Sequence, residues 1–296
     1  MNLIAAPELR FCDRAAITPH LQQIDEWLLP GAFYGAQHTW PQLYRSDGDG
    51  RFCALFDGDR LISHCAFRIA RAHTDRGPRR VAMLGSVATD PEFRGQGFAQ
   101  RVVRASLDAC KQLGASFALL WAEEQGLYAR CGFRPGADET CCVVESNGTA
   151  LAGDVVREAT IRDHARLCAL HEQKTLRLER SSRAMSALLT TPGLSTYVLE
   201  RDGAVMAYAC TGKGADLHGW WHEFGGSDQD VAALLPRALD LAGQPQAIVI
   251  VPPYRNALAR ELGPACIEVA TVAGPLVASL TDEVAAAVFV DGLDSV

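Results

Sequence analysis

The sequence predicts an α/β protein made of two similar halves in tandem, and three observations carry that expectation. Apolar residues recur at helical spacing in some stretches and as short, nearly continuous runs in others, and the two kinds alternate along the chain. Two hairpin segments, Phe52–Arg68 and Tyr197–Gly212, have very similar spacing around an Asp-Gly turn. Each is followed by the same strand, helix and strand order, the mark of an internal repeat.

The first half opens on a short strand near Leu9–Cys12. A helix over Ile17–Leu29 follows, with Leu21, Ile24 and Leu28 on one face and Pro30-Gly31 as its stop. Arg51–Phe56 and Leu61–Ile69 are strands joined at Asp57-Gly58-Asp59. An Arg-rich polar loop is expected over Thr74–Arg80, then a strand over Val81–Thr89. Beyond Asp90-Pro91 and a glycine-bearing turn, a helix runs from Phe98 to Leu113, with Val103, Leu107 and Cys110 forming its buried stripe and Gly114 its C-cap. Ser116–Trp121 is an apolar strand and Leu127–Arg130 a short helix. Cys141–Glu145 is a strand within a Gly-, Asp- and Thr-rich segment. A boundary near residue 150 divides the chain into domains 1–150 and 151–296.

The second half repeats that order at lower fidelity. Helices are expected over Arg162–Leu176 and Ser182–Leu189, and a hairpin over Thr196–Arg201 and Val205–Cys210. Then come a strand over Leu217–Phe224, a helix over Val231–Ala242, a strand over Ala247–Val251 and a helix over Arg255–Leu262.

Composition narrows the function classes. Of the 296 residues, 48% are hydrophobic and 21% charged, as in a folded globular chain. The net charge is -7; residues 1–150 hold 16 basic and 17 acidic side chains, and residues 151–296 hold 12 and 18. With no basic stripe, nucleic acid is not the expected partner. The longest apolar run, Val284–Val290, falls far short of the roughly 20 residues of a spanning helix, so no membrane partner is expected. The first residues carry neither the basic nor the apolar segment of a secretory signal, and the expected location is the cytoplasm. The 10 cysteines include no Cys-x-x-Cys pair and read as small core residues, so no metal is expected.

The stretch Leu84-Gly85-Ser86-Val87-Ala88-Thr89-Asp90-Pro91-Glu92-Phe93-Arg94-Gly95-Gln96-Gly97-Phe98-Ala99 carries the chemistry. A strand enters a glycine turn that opens a helix, which directs successive backbone N–H groups at one point beside the positive end of a helix dipole. A pyrophosphate can sit there. Gly95 and Gly97 leave room for that approach because they have no Cβ.

This stretch resembles the Arg/Gln-x-x-Gly-x-Gly/Ala pattern of the GNAT superfamily of N-acetyltransferases, with Arg94, Gly97 and Ala99 in its places. Downstream, Gly126-Leu127-Tyr128-Ala129-Arg130-Cys131-Gly132-Phe133 is similar to the family's Tyr-x-x-x-Gly-Phe signature. The resemblance spans about residues 8–145. The same residues, preceded by Glu124-Gln125 and followed by a degenerate second half, also resemble the Eis-type tandem acetyltransferases. Members of that type carry a third, C-terminal domain that 296 residues leave no room for.

The resemblance implies two acetyltransferase-like (GNAT) domains in tandem, each a mixed, mostly antiparallel sheet flanked by helices. It implies acetyl-CoA as acetyl donor, bound in a V-shaped gap between Val81–Thr89 and Ser116–Trp121. Val87, Ala88 and Thr89 would meet the pantetheine arm. Arg94, Gly95, Gln96, Gly97, Phe98, Ala99 and Gln100 would hold the pyrophosphate, with Glu123 completing the cofactor set and Arg101 and Arg104 within reach of a CoA phosphate. Tyr128 is the implied general acid, because acyl transfer from a thioester expels a thiolate that must be protonated. The strand Leu84–Val87 has no carboxylate for the general base. Glu124 is the candidate for that role, with Glu123, His64, a water chain and the chain terminus as alternatives.

The second half lacks the phosphate pattern. It reads Gly226-Ser227-Asp228-Gln229-Asp230-Val231, and two carboxylates at a helix N-terminus repel a pyrophosphate. Pro252-Pro253-Tyr254 stands in the region of Glu123–Tyr128. This half is expected to be non-catalytic and to wall the substrate cleft, with Trp220, Trp221 and His222 as a possible aromatic lining. The function expected is acetyl-CoA-dependent N-acetylation of an amine on a small molecule by direct transfer. Acetylation of a protein lysine or N-terminus, and CoA binding without turnover, are the alternatives.

Overall fold

The computed structural model describes residues 7–146, 153–255, 257–282 and 287–296. The expected boundary near residue 150 and the beginning of the apolar run at 284 lie outside the described residues, as do residues 1–6 and 256.

In chain order the first half comprises β1 (Glu8–Cys12), α1 (Arg14–Ile17), α2 (Leu21–Leu28), α3 (Ala36–Thr39), α4 (Pro41–Tyr44), β2 (Arg51–Asp57), β3 (Arg60–Thr74), β4 (Gly77–Thr89), α5 (Phe98–Gln112), β5 (Phe117–Leu120), α6 (Gln125–Ala129), β6 (Arg134–Pro135) and β7 (Glu139–Glu145). The second comprises β8 (Asp154–Glu158), α7 (His164–Glu172), β9 (Arg177–Leu178), α8 (Ser182–Leu189), β10 (Ser195–Arg201), β11 (Ala204–Lys213), β12 (Asp216–Gly225), α9 (Asp228–Leu241), β13 (Gln246–Val251), α10 (Leu258–Leu262), β14 (Cys266–Val272) and β15 (Leu276–Ser279).

These strands form two mixed, mostly antiparallel sheets, as expected. One runs β1-β2-β3-β4-β5-β15-β6, with β9 paired to β3; the other runs β14-β7-β13-β12-β11-β10-β8. In each sheet the central pair, β4–β5 and β12–β13, is parallel. The amphipathic helices α5 and α9 cover one face each: Val103, Leu107 and Cys110 pack on β2–β5, and Val231, Leu235 and Leu239 pack on β10–β13.

Two strands cross between the halves. β7 leaves the first half to pair with β13 and β14 in the second sheet. β15 returns from the second half to pair antiparallel with β5 in the first. The repeat by itself does not foresee this exchange, and β14 and β15 lie beyond the elements expected from sequence.

Two local expectations are corrected. Thr74–Arg80 is a tight hairpin, not a loop: from Ala66↔Gly85 onward β3 and β4 pair without interruption to Thr74↔Gly77. Its arginines face outward while Ala72 and Val81 are fully buried, and β9 seals one side through Ala72↔Leu178. The helix expected over Ile17–Leu29 is broken at Thr18–His20, a 3-10 turn holding Pro19, because proline has no N–H to continue the α-helical ladder.

Residues 287–296 run between the halves and are tied down by buried polar groups. Lys213 is completely buried, and its Nζ donates to the carbonyls of Gly292 at 2.9 Å and Ser295 at 2.7 Å. Arg180 bridges Asp294 at 2.9 Å and Glu223 at 2.6 and 2.8 Å. Gln42 of the first half donates to the Leu293 carbonyl. The main chain of Val296 thereby rests on Gly85 of β4, so closely that no Cβ fits there.

Candidate active site

The parallel ladder between β4 and β5 runs from Val81↔Phe117 to Met83↔Leu119 and then stops. Past that point β4 turns away, helped by a bulge opposite β3 and by Ser86, whose φ of 51° is rare for a residue with a side chain. The two strands therefore separate at the place where the resemblance implies a V-shaped gap. Ser86 is held from beneath: Tyr44 Oη bonds both its Oγ and His64 Nε2, the latter at 3.1 Å. Val87 sits in the bulge with no β3 partner in the register, while Ala88 and Thr89 pair with His64 and Ser63.

At the foot of the gap, Gly95 and Gly97 take φ values of 77° and 80°, left-handed conformations that favour glycine. Gly97 is the N-cap of α5 and contributes no capping side chain, so the first-turn N–H groups have no cap from it. They open on a cleft of about 270 Å³ lined by Thr89, Arg94, Gly97, Gln100, Leu127 and Arg130 among others. The loop is braced from behind. Asp90 is 4% exposed, receives Arg60 at 2.7 Å and caps Glu92 N at 3.0 Å. Arg94 Nε donates to the Thr89 carbonyl at 3.2 Å, which fixes loop to strand. Uncapped N–H groups, open glycines and a positive helix end fit a pyrophosphate. Arg101 and Arg104 bond the carbonyls of Pro7 at 3.1 Å and Arg130 at 2.9 Å.

Tyr128, on the short helix α6, packs edge-on against Phe133 with ring centroids 6.0 Å apart. Burial pushes its phenol up to about 12, so it is protonated at neutral pH. Among the described residues its hydroxyl has no hydrogen-bond partner. Glu124 is the exposed N-cap of α6, without a side-chain capping bond. Glu123 is also exposed but lines a larger cavity, of about 640 Å³, between the two halves. His64 is fully buried beneath β4, and burial lowers its imidazole to about 3, leaving it neutral.

That larger cavity is walled by Trp121, Trp220, Phe289 and Val296, with Glu139 and His222 also facing it. Trp220 and His222 thus line it, whereas Trp221 is buried in the core of the second half, its Nε1 donating to Gln244 at 2.8 Å. Glu139 escaped the sequence reading. It belongs to no motif, and only the crossing of β7 brings it to Trp121, whose Nε1 donates to its carboxylate at 3.3 Å. Burial raises the Glu139 carboxyl.

The matching loop of the second half is closed from within. Ser227 caps α9 through Asp230 N at 3.1 Å. Arg255 holds Asp228 at 2.8 Å and the Gly226 carbonyl at 3.0 Å. A further buried cluster, His171, Glu223 and Asp291, offers carboxylates and an imidazole to one point. Lys174 and Arg180 already supply its positive charge, at 2.9 Å from Asp291 and 2.6 Å from Glu223.

The fold and part of the sequence are similar to those of known proteins. Residues 31–136 match the sequence model of the family described as Acetyltransferase (GNAT) domain. Over these residues the chain is similar to that family. It is 37% identical over 103 residues to N-alpha-acetyltransferase 30 of Schizosaccharomyces pombe (strain 972 / ATCC 24843), which is 32% of this chain and 60% of that relative. The chain thus spans less than two thirds of that relative's length. Over 93% of its length it superposes with a TM-score of 0.73 on 73% of an Enterococcus faecalis V583 protein described as a probable N-acyltransferase, at 10% identity. A GCN5-related N-acetyltransferase from Kribbella flavida gives 0.66 at 18% identity, covering 92% of this chain and 71% of that one. Eis1 from Mycobacterium abscessus gives 0.64 at 14% identity, covering 92% and 74%. The whole two-sheet arrangement is therefore a known fold.

Proposed function

We propose that the protein is an acetyl-CoA-dependent N-acetyltransferase that moves an acetyl group directly to an amine of a small molecule. The observation that carries this reading is the splay of β4 from β5 above the uncapped N-terminus of α5, with Tyr128 of α6 packed on the same core cluster as Val87 and Phe98. In this reading Gly95–Gln100 bind the pyrophosphate, Val87–Thr89 align the pantetheine arm, and acetyl-CoA supplies the acyl group. The first half does this work, and the second walls the cavity.

The acceptor enters from the cavity between the halves. Its ammonium must lose a proton before the nitrogen can attack. Glu123, on the cavity wall, is better placed to take that proton than Glu124, which lies outside the lining. As the new C–N bond forms and the C–S bond breaks, Tyr128 gives its proton to the departing sulfur; the nitrogen sheds its excess proton to solvent, from which Tyr128 is reprotonated. Positioned acid–base groups of this kind contribute about 10²–10⁴-fold in rate.

A second reading, transfer to a protein N-terminus, is favoured by the name of the Schizosaccharomyces pombe relative. Release of free thiol from acetyl-CoA, assayed against a panel of small amines and short peptides, tests both. Thiol release with small amines supports the first reading and release with peptides alone the second. CoA binding with no thiol release from any acceptor overturns both.

A further inference from the structure

Resting on the transfer reading, we propose that the cavity between the halves takes an acceptor with two ammonium groups, and that Glu139, oriented by Trp121, holds the one that is not acetylated. The lining chemistry is the first support. Among the described residues, the side-chain carboxylates facing the cavity are Glu123, Glu139 and Asp216, and no lysine or arginine lines it. Such a wall carries negative charge without a lining cation, so it suits a cationic ligand.

Glu139 is the most demanding of the three. Asp216 has Lys213 at 3.7 Å, and Glu123 is exposed to water. Glu139 is largely withdrawn from water and, among the described residues, has no cationic partner. Its single side-chain hydrogen bond comes from Trp121 Nε1 at 3.3 Å. A carboxylate removed from water without a counter-charge is unfavourable, which is why burial raises its proton affinity. An ammonium brought by the ligand supplies the missing charge. The indole that orients Glu139 also offers a face to a cation.

His222 belongs to the same wall but offers a ligand no free ring nitrogen. It is 1% exposed and lines the cavity. Its Nε2 lies 3.0 Å from the Gly212 carbonyl and so must carry the proton. Nδ1 is then an acceptor, and it has no hydrogen-bond partner. That nitrogen is packed under Gly292, so the polar contact to a ligand falls to Glu139. The apolar walls of the cavity, Trp220 and Phe289 among them, suit a carbon chain joining two amines.

Straight-chain α,ω-diamines and the matching n-alkylamines test the proposal on the full-length protein. With acetyl-CoA as donor, KM for the best diamine should lie about 10- to 100-fold below that of its monoamine, the usual range for a charge-assisted hydrogen bond. Glu139→Gln keeps the bond from Trp121 but loses the charge. It should raise the diamine KM by a similar factor with kcat changed no more than about threefold, the pattern of lost ground-state binding. Calorimetry of diamine binding to the CoA-saturated protein gives a readout independent of turnover. Equal KM for diamines and monoamines, or a diamine that does not bind, overturns the proposal while the transfer reading survives on thiol release. Diamine binding that depends on Glu139 without thiol release supports the cation site and sinks the transfer reading instead.

Discussion

Arg255 lies 2.8 Å from Asp228 and donates to the Gly226 carbonyl, and so occupies the loop of the second half that corresponds to the open phosphate cleft of the first. The two halves share a fold, yet one presents bare N–H groups where the other is closed by its own ion pair.

From this pair follows a stoichiometry. Calorimetry should give one CoA per chain. Arg255→Ala should not create a second site, because Asp228 and Asp230 then stand unneutralised or partly neutralised at the start of α9 and repel a phosphate. Two equivalent sites in the wild-type protein would contradict the assignment.

Replacing Gly97 by valine should cut CoA affinity by at least 100-fold. The residue has a φ of 80°, which costs a β-branched side chain roughly 1–2 kcal/mol, and the new methyl groups would project into the cleft proposed for the phosphate. A variant that is destabilised but binds CoA normally would show that the cleft beside Gly97 is not the phosphate site.

Tyr128→Phe should leave CoA affinity nearly intact and lower turnover by about 10²–10⁴-fold. The ring keeps its packing on Phe133, and only a hydroxyl without a protein partner is lost, so the melting temperature should barely change. Wild-type turnover would mean that another group protonates the sulfur.

Gly85→Val should destabilise the protein by about 1–3 kcal/mol, as overpacking does, since Val296 already occupies the space of its side chain. Denaturant unfolding reads the loss. No change would mean that the contact between residues 85 and 296 is dispensable.

Acid should weaken the fold well before its carboxylates protonate. His64 and His222 are fully buried, and their imidazoles are lowered from 6.5 to about 3 and about 4. Below pH 6.5 the unfolded chain takes up protons that the folded chain refuses, so stability is full above that value and falls as pH drops toward 4. The slope should approach roughly 1.4 kcal/mol per pH unit for each histidine. His64→Gln should flatten the curve measured by urea unfolding between pH 7 and 4; an unchanged slope would contradict neutral burial of His64.

How much of this was legible in the sequence depended on range. Local signals were reliable: α8 begins and ends at Ser182 and Leu189 as expected, and the glycine turn at Gly95 and Gly97 opens α5 where the sequence places it. Contacts made by distant segments were not. Thr74–Arg80 reads as loop because its arginines hide the alternation, and only pairing with β9, a hundred residues on, explains why the strands continue. Glu139 sits in a polar stretch without a motif and gains its meaning from meeting Trp121. The tail reads as an apolar run followed by acidic residues. Nothing local reveals that Lys213 and Arg180 will hold it against β4.

The exchange of β7 and β15 has a consequence for synthesis on the ribosome. The nascent first half carries most of its sheet but ends at β5 with an open edge, because the strand that covers that edge is translated about 160 residues later. Its own β7 meanwhile has no sheet to join until β13 appears. Neither half can therefore finish folding as it emerges, in contrast to the usual domain-by-domain order. The chain must mature as a single unit, and cutting it between the halves would yield two incomplete sheets with exposed edges rather than two working domains.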